Sequence, residues 1–321
     1  MRGRVHAIST LKGLVADLRF YITERCNASC PSCFNASFRE QADMAVDKYE
    51  ILCKYFKENG VTLLKIMGGE PTIHPEFLSL YKIAQDFFNK VCLFTNGLSP
   101  TILHVTPRIS DTIIFNGDFI DNIPLKNLVL EKPGIRGIEL QVRADSNVNI
   151  IKRIEKKLGR NIDKVIINFT LDCRSNIFKQ KDTVIDKYVS LWDYCKASGI
   201  RVAQDHVIPI CFTVGTKMPR TNIFSLCDKD RAGVVDSNYN LRYCNQFPKV
   251  LTNMFYGQSL IPYEVFKNHI VAEYMRNQTK LLDKLCVDCT LYNEYCNGGC
   301  FAGTDNIKRD DILNNTNFPI I

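Results

Sequence analysis

The stretch that decides the fold is LRFYITERCNASCPSCF, residues 18–34. It begins with a short run of apolar, aromatic and β-branched side chains, which predicts a buried β-strand. Three cysteines follow directly, Cys26, Cys30 and Cys33, with the spacing C-x3-C-x2-C and an aromatic residue, Phe34, after the third. Thiols this close together predict a metal site at the end of a strand.

The composition is that of an ordinary globular protein and narrows the classes of partner. The chain has 321 residues, 45% hydrophobic and 23% charged, with a net charge of +7. This length suffices for one large and one small domain. The densest basic stretch, KRIEKKLGR at 152–160, predicts the solvated face of a helix rather than a nucleic-acid contact. No stretch resembles a signal peptide or a membrane span, so we expect a cytoplasmic protein without a membrane partner.

Fourteen cysteines are the abnormal part of the composition. A disulfide framework is not expected, because cytosolic thiols stay reduced, and clustered cysteines then indicate metal. A second cluster lies near the end of the chain, at Cys227, Cys244, Cys286, Cys289, Cys296 and Cys300. The scattered cysteines are interpreted as buried spectator thiols, at Cys53, Cys92, Cys173, Cys195 and Cys211.

Short apolar runs alternate with longer helical patterns over the first two thirds of the chain. Strands are predicted at 18–23, 61–67, 91–95, 112–116, 137–144, 164–171 and 201–210. Helices are predicted at 46–59, 75–89, 148–158 and 183–198. This alternation indicates an α/β fold with a parallel sheet, and its number of units favours an open or complete barrel. Whether 112–116 or 137–144 is the fourth barrel strand stays open.

The alternation ends at a linker-like stretch, GTKMPRTN (215–222), after which the sequence is irregular and rich in cysteine. We therefore predict two domains, a barrel over 1–215 and a small, irregular, cysteine-rich domain over 216–321.

Three unusual segments follow three successive strands. The cysteine triplet follows the first strand, GGEPTIHPEF (68–77) follows the second, and TNG (95–97) ends the third. Because parallel strands end at one edge of a sheet, these segments are expected to lie together, where such folds carry their chemistry.

Two kinds of metal site suit the cysteine triplet. Tetrahedral zinc would need a distant fourth ligand. A four-iron cluster held by three thiolates would leave one iron open to chelate a small molecule through its amine and carboxylate. The cluster is the better account of three thiols without a fourth.

The triplet, the aromatic after it and the glycine turn together resemble the radical S-adenosylmethionine (radical SAM) superfamily. The resemblance implies a partial (β/α)6-type TIM barrel as the core, with a [4Fe–4S] cluster on the three cysteines and S-adenosylmethionine at the open iron. It also implies that the backbone of Gly68-Gly69-Glu70-Pro71 receives the ammonium group of the cofactor and that Phe34 lies near its adenine. Glycines suit such a place, because the ligand must come close to the main chain.

Three further residues stand near this edge. Asn96, in the TNG segment, is expected near the cofactor. Arg143 stands where relatives have a serine–aspartate strand end, and it could meet the carboxylate of the cofactor, the substrate or an acidic side chain. His74 is interpreted as structural, because its position usually opens the following helix.

The C-terminal cysteines in CVDCTLYNEYCNGGC (286–300) permit a zinc knob, but they resemble the SPASM extension of radical SAM enzymes. Upstream, Cys227 and Cys244 resemble the cysteines that flank a short strand pair in that extension. The full pattern has eight ligands, whereas this chain offers two incomplete sets. The resemblance groups Cys227 and Cys244 with Cys300, and Cys286 and Cys289 with Cys296. Either a residue such as Asp305 completes a set or a single cluster forms, as in the shorter twitch relatives, so one or two auxiliary [4Fe–4S] clusters are expected.

The resemblance implies reductive cleavage of S-adenosylmethionine to a 5′-deoxyadenosyl radical, which then attacks an unactivated C–H bond. We expect oxidation, epimerisation or cross-linking of a natural-product intermediate, with electrons from a flavodoxin- or ferredoxin-type donor. Few residues precede Cys26, which favours a small, amino sugar-like substrate over a peptide with a bound leader. A ribosomal peptide maturase and a non-catalytic iron–sulfur or zinc protein are the alternatives.

Overall fold

The computed structural model describes much of the barrel and part of the C-terminal region. The described residues are 18–30, 33, 35, 42–125, 128, 138–143, 147–158, 165–170, 181–204, 233–245 and 249–278. The predicted boundary after residue 215 lies outside them and stays a prediction.

A sheet of ten strands organises most of these residues, and a separate two-stranded sheet lies within 255–260. Its first seven strands are β1 (Leu18–Thr23), β2 (Leu63–Gly68), β3 (Lys90–Thr95), β4 (Thr112–Asn116), β5 (Ile138–Arg143), β6 (Val165–Thr170) and β7 (Arg201–Gln204). They lie side by side in chain order and every neighbouring pair is parallel. This singly wound order confirms the predicted barrel-type α/β fold. Both candidates for the fourth strand are strands of the sheet, as β4 and β5.

The first four α-helices lie close to the expected positions, whereas the last α-helix and most of the later strands fall in the region predicted as irregular. The α-helices are α1 (Val46–Glu58), α2 (Phe77–Phe87), α3 (Asn149–Leu158), α4 (Lys181–Ala197) and α5 (Tyr263–Gln278). The later strands are β8 (Gly233–Val235), β9 (Asn240–Arg242), β10 (Val250–Asn253), β11 (Phe255–Tyr256) and β12 (Ser259–Leu260). β7 is described over four of the ten residues predicted, since 205–210 lie outside the described part.

Alternation along each strand separates a helix-facing layer from the barrel interior. On β1, Phe20 is fully buried in the main core and meets Tyr49 and Phe56 of α1 edge to face, with ring centroids 5.5 and 5.7 Å apart. Tyr21 points the other way and packs with Met67 of β2 in a small separate cluster. Burial on both faces explains why these strands have continuous apolar sequences.

The sheet continues beyond β1 into the C-terminal region. β8 runs parallel to β1, with Leu18 opposite Gly233 and Phe20 opposite Val235. β9 and β10 follow in antiparallel fashion. Part of the region predicted as a separate irregular domain therefore adds three strands to the sheet of the barrel.

None of the described helices combines the length and the apolar character that a membrane crossing requires.

Candidate active site

The carboxyl ends of β1, β2, β3 and β4 meet at one edge of the sheet, as the three unusual segments predict. The cysteine loop leaves β1 there, and the glycine turn and the TNG segment leave β2 and β3.

A hydrogen bond closes the base of the cysteine loop. Asn35 donates its Nδ2 to Oε2 of Glu24, so the residue two positions after Cys33 is tied to the residue two positions before Cys26. Glu24 and Asn35 are 3% and 1% exposed. Within the loop, the backbone N–H of Cys33 donates to the carbonyl of Cys30 at 3.2 Å. Phe34 lies outside the described residues, so its place near the adenine stays a prediction.

The three cysteines of the loop are half-buried thiols, not disulfides. Among the described residues, no three His, Cys, Asp or Glu side chains are placed to bind one metal ion together. A tetrahedral zinc ion needs all its ligands about 2.0–2.3 Å from one point, whereas a four-iron cluster spreads its cysteines over different irons. Three thiols in one loop suit a four-iron cluster with one iron left open to a ligand.

The glycine turn is held against this loop by main-chain contacts. Gly69 donates its N–H to the carbonyl of Thr23 at 2.9 Å, and Glu70 donates to that of Arg25 at 2.8 Å. A Cβ at Gly68 or Gly69 would lie 2.1 Å from the carbonyl oxygen of Thr23 or Arg25, respectively. In this structure the strand end and the loop ahead of the cysteines approach the glycines closely, and the expected approach of the cofactor stays a prediction.

Glu70 braces the ends of β2 and β3. Its carboxylate accepts hydrogen bonds from the N–H and hydroxyl of Thr72, from Thr95 Oγ1 at 2.7 Å and from the N–H of Asn96 at 2.6 Å. Burial raises the pKa of Glu70 and these hydrogen bonds oppose the rise. Pro71, also buried, begins a short 3-10 helix after the turn. Glu70 thus fixes the turn against TNG and positions both segments beside the cysteine loop.

Two asparagines point their amides at the cysteine loop. Asn96 Nδ2 lies 3.9 Å from Cys26 Sγ, and Asn116 Nδ2 lies 3.6 Å from Cys30 Sγ. Asn96 is a residue that the sequence predicts for the site, whereas Asn116 is not predicted. The available signal is that Asn116 is the polar last residue of an otherwise apolar strand, TIIFN.

The structure gives His74 a structural place, as predicted. Its Nε2 lies 3.1 Å from the carbonyl oxygen of Met44, and its Nδ1 accepts the N–H of Glu76 at 3.0 Å. Burial lowers the pKa of His74, so the neutral ring is favoured.

Arg143 is the last residue of β5, in register with Thr170 of β6. Its backbone therefore lies at the predicted edge. Its side chain lies outside the described part, and its role stays a prediction.

A buried ion-pair network joins the cysteine loop to the C-terminal hairpin. Arg242 of β9 lies 3.4 Å from Oε1 of Glu24 and 3.2 Å from Oδ2 of Asp236, and its guanidinium lies 5.2 Å from the ring centre of Tyr21. Both Arg242 and Glu24 have side chains 3% exposed. Cys244, two positions after Arg242, is buried as well.

The strand pair expected between Cys227 and Cys244 is present, as β8 and β9. Of the predicted auxiliary ligands, Cys244 is described. The others, which stay predictions, lie outside the described residues: Cys227, Cys286, Cys289, Cys296 and Cys300.

Comparison with known proteins gives a family match for the part of the barrel that carries the cysteine loop. The family model of the Radical SAM superfamily matches residues 20–127. An S-adenosylmethionine-dependent nucleotide dehydratase of Selenomonas ruminantium is 28% identical over 116 residues, 35% of this chain and 41% of that protein. A GTP 3′,8-cyclase of Saccharophagus degradans is 25% identical over 173 residues, 52% of this chain and 49% of that protein. The chain thus spans less than half the length of these two curated relatives.

Solved structures share the fold over most of the chain. Streptococcus suis SuiB bound to S-adenosylmethionine matches with a TM-score of 0.62 at 17% identity, over 90% of this chain and 73% of SuiB. The protein anSMEcpe, with bound AdoMet and Kp18Cys peptide, matches with a TM-score of 0.58 at 15% identity, over 89% of each chain. The Radical SAM superfamily binds a [4Fe–4S] cluster and S-adenosylmethionine. The family match and the cysteine loop at the strand ends together show a radical SAM domain over the matched residues 20–127.

Proposed function

We propose that the chain is a radical SAM enzyme that cleaves S-adenosylmethionine reductively to a 5′-deoxyadenosyl radical and uses it on an unactivated C–H bond. The observation that carries this proposal is that Glu70 holds the segments of the site together. A single buried carboxylate binds the TNG segment and holds the glycine turn, which is itself bonded to the loop of Cys26, Cys30 and Cys33.

Each segment has its own task in this proposal. Cys26, Cys30 and Cys33 hold the cluster as thiolates, and the turn at Gly68–Pro71 with Asn96 forms the adjoining wall for the cofactor. Arg143 takes the carboxylate of the cofactor or of the substrate. When bound, the cluster and S-adenosylmethionine supply the electron and the carbon–sulfur bond whose cleavage yields the radical. The task of the protein is to fix the substrate bond beside the cofactor and to exclude water.

The C-terminal cysteines extend the proposal to one or two auxiliary [4Fe–4S] clusters. They would be held by Cys227, Cys244, Cys286, Cys289, Cys296 and Cys300. An auxiliary cluster can accept an electron from a substrate radical, or bind the substrate at an iron that lacks a fourth thiolate. The observation in favour of the assignment is the β8–β9 hairpin. Its Arg242 forms an ion pair with Glu24 at the start of the cysteine loop, and Cys244 follows Arg242 by two positions.

The proposed substrate is a natural-product intermediate, with an amino sugar-like molecule as the first candidate. A peptide is the second candidate, because two proteins of the same fold were solved with peptides: SuiB with its precursor peptide SuiA, and anSMEcpe with Kp18Cys. A flavodoxin- or ferredoxin-type protein is the proposed electron donor. Incubation with both substrate classes and mass spectrometry of the products distinguishes them.

The test of the proposed function is the cluster content and the cleavage reaction. Anaerobically reconstituted protein should bind well over four irons per chain, and dithionite with S-adenosylmethionine should release 5′-deoxyadenosine and methionine. Combined replacement of Cys26, Cys30 and Cys33 by Ala should remove about four irons and abolish 5′-deoxyadenosine formation.

The matched control replaces the three buried spectator thiols Cys53, Cys92 and Cys195 by Ala. They lie 0%, 5% and 0% exposed in the fold, so the control should keep its iron even if it loses stability. Zinc as the sole metal, or unchanged iron in the variant of the cysteine loop, would contradict the proposal.

A further inference from the structure

Asn96 and Asn116 share one local design at the ends of neighbouring strands. Asn96 Oδ1 accepts the N–H of Leu98 at 2.9 Å, and Asn116 Oδ1 accepts the N–H of Asp118 at 3.0 Å. Each side-chain oxygen therefore caps the turn that follows its strand. Because the oxygen is engaged by a backbone donor, the orientation of each amide follows from the chain itself, and the NH₂ group must point the other way.

Both NH₂ groups then face cysteines of the proposed cluster loop. Asn96 divides its amide between Asn27 Oδ1 at 2.7 Å and Cys26 Sγ at 3.9 Å. Asn116 makes the closer approach to sulfur, with Nδ2 3.6 Å from Cys30 Sγ. The stronger candidate for an effect on the sulfur is therefore Asn116.

We propose that Asn116 is a positioning residue that raises the reduction potential of the cluster by an N–H···S hydrogen bond to Cys30. This inference rests on the proposed function, in which Cys30 is a cluster ligand. Hydrogen bonds to the ligand sulfurs withdraw electron density, and so they favour the reduced cluster. The step affected is the uptake of one electron by the oxidised cluster from an external one-electron reductant, with no proton transferred and no bond broken.

The folding role of Asn116 can be separated from this electronic role. The turn needs only the side-chain oxygen, and Asp supplies the same oxygen to the N–H of Asp118. Asn116→Asp therefore keeps the cap and removes the donor to sulfur, but it also adds a negative charge. Asn116→Ser removes the amide without adding charge and keeps a weaker cap, so a fall in potential in both variants identifies the lost hydrogen bond.

A matched control comes from α3. Asn147 caps that helix in the same way, with Oδ1 accepting the N–H of Asn149 at 2.9 Å, and its side chain is exposed. Asn147→Asp makes the same chemical change where solvent screens the new charge.

The experiment is a redox titration of reconstituted full-length protein, followed by electron paramagnetic resonance in the absence of S-adenosylmethionine. The signal to follow is the one that disappears when Cys26, Cys30 and Cys33 are all replaced by Ala. At an ambient potential equal to the wild-type midpoint, the ratio of reduced to oxidised cluster should fall about tenfold in Asn116→Asp, equivalent to 59 mV for one electron. It should fall by a smaller factor in Asn116→Ser and stay unchanged in Asn147→Asp.

The possible outcomes separate this inference from the proposed function. An intact cluster with an unmoved midpoint in both Asn116 variants overturns the inference alone. An equal fall in Asn147→Asp overturns it too, since a remote charge would then suffice. If Asn116→Asp loses iron, the midpoint potential of the neutral variant Asn116→Ser decides: a lower midpoint supports the inference and an unchanged midpoint overturns it. A wild-type protein that assembles no cluster overturns the proposed function and this inference together.

Discussion

Replacing Arg242 with Met tests whether the buried ion pairs hold the C-terminal hairpin on the cysteine loop. The guanidinium lies 3.4 Å from Glu24 and 3.2 Å from Asp236. Methionine keeps much of the apolar length of the side chain but removes the charge. Asp236 retains the backbone N–H groups of Asn238 and Asn240, at 3.1 and 2.8 Å. Glu24 keeps the amide of Asn35 and loses the guanidinium of Arg242.

The expected cost follows from the depth of burial. Breaking a buried ion pair by removing one partner costs about 3–5 kcal/mol, because the remaining charge is left without compensation. For a chain of this size, about 2 °C of melting temperature is lost per kcal/mol, which corresponds to a fall of about 6–10 °C. Adding Glu24→Gln to Arg242→Met removes the carboxylate charge that Arg242 balances. The double variant should therefore recover part of the lost stability, with an interaction free energy of about 0.5–3 kcal/mol between the two changes.

The assay is anaerobic thermal unfolding followed by circular dichroism, at matched iron content. Arg153→Met is the control, because Arg153 lies 2.6 Å from Asp121 with side chains 49% and 61% exposed. An exposed pair is worth about 0–1 kcal/mol, so this variant should melt within about 2 °C of wild type. Equal small shifts in Arg242→Met and Arg153→Met would refute the argument from burial.

Two further predictions concern the glycine turn and the stability in acid. Gly69→Ala places a Cβ 2.1 Å from the Arg25 carbonyl and should cost about 1–3 kcal/mol and lower the iron content of the cysteine loop. Gly60→Ala, in open space at φ +85°, should cost about 1–2 kcal/mol and keep the iron. Burial raises the pKa of Asp111, but hydrogen bonds from Arg108 and other donors outweigh it and leave the pKa below its usual value. Its contribution is therefore present above the unfolded pKa of about 3.9 and is lost as the pH falls through the folded value. The unfolding free energies of wild type and Asp111→Asn should accordingly converge below about pH 4, and a constant difference in urea titrations would contradict this.

The sequence predicts well where the strands end at the site, because the signals for a strand end lie in the residues next to it. The strand before GGEP and the strand before TNG are short apolar runs, and both end within one residue of the predicted position, at Gly68 and Thr95. Asn116 is missed because a single asparagine at a strand end has no accompanying motif. Its significance appears when the sheet brings Cys30 within hydrogen-bonding distance.

Other features depend on contacts between distant parts of the chain. The pairing of Leu18 with Gly233 leaves no periodic trace in either segment. The resemblance implies the strand pair between Cys227 and Cys244, but nothing in the sequence indicates that it joins the sheet of the barrel. The glycines of the turn are predicted as necessary, but for contact with a ligand. The neighbouring carbonyls of Thr23 and Arg25 are visible only in the folded chain.

The pairing of β8 with β1 has a consequence for how the protein is made. β1 leaves the ribosome well before its partner Gly233–Val235 is synthesised. At about 5–20 residues per second, one edge of β1 stays uncovered for on the order of ten seconds or more. An open apolar strand edge can pair with other chains during that interval. Slower aggregation and a higher soluble yield are therefore expected when synthesis is carried out at low nascent-chain density, because fewer uncovered edges then meet before the late strands are made.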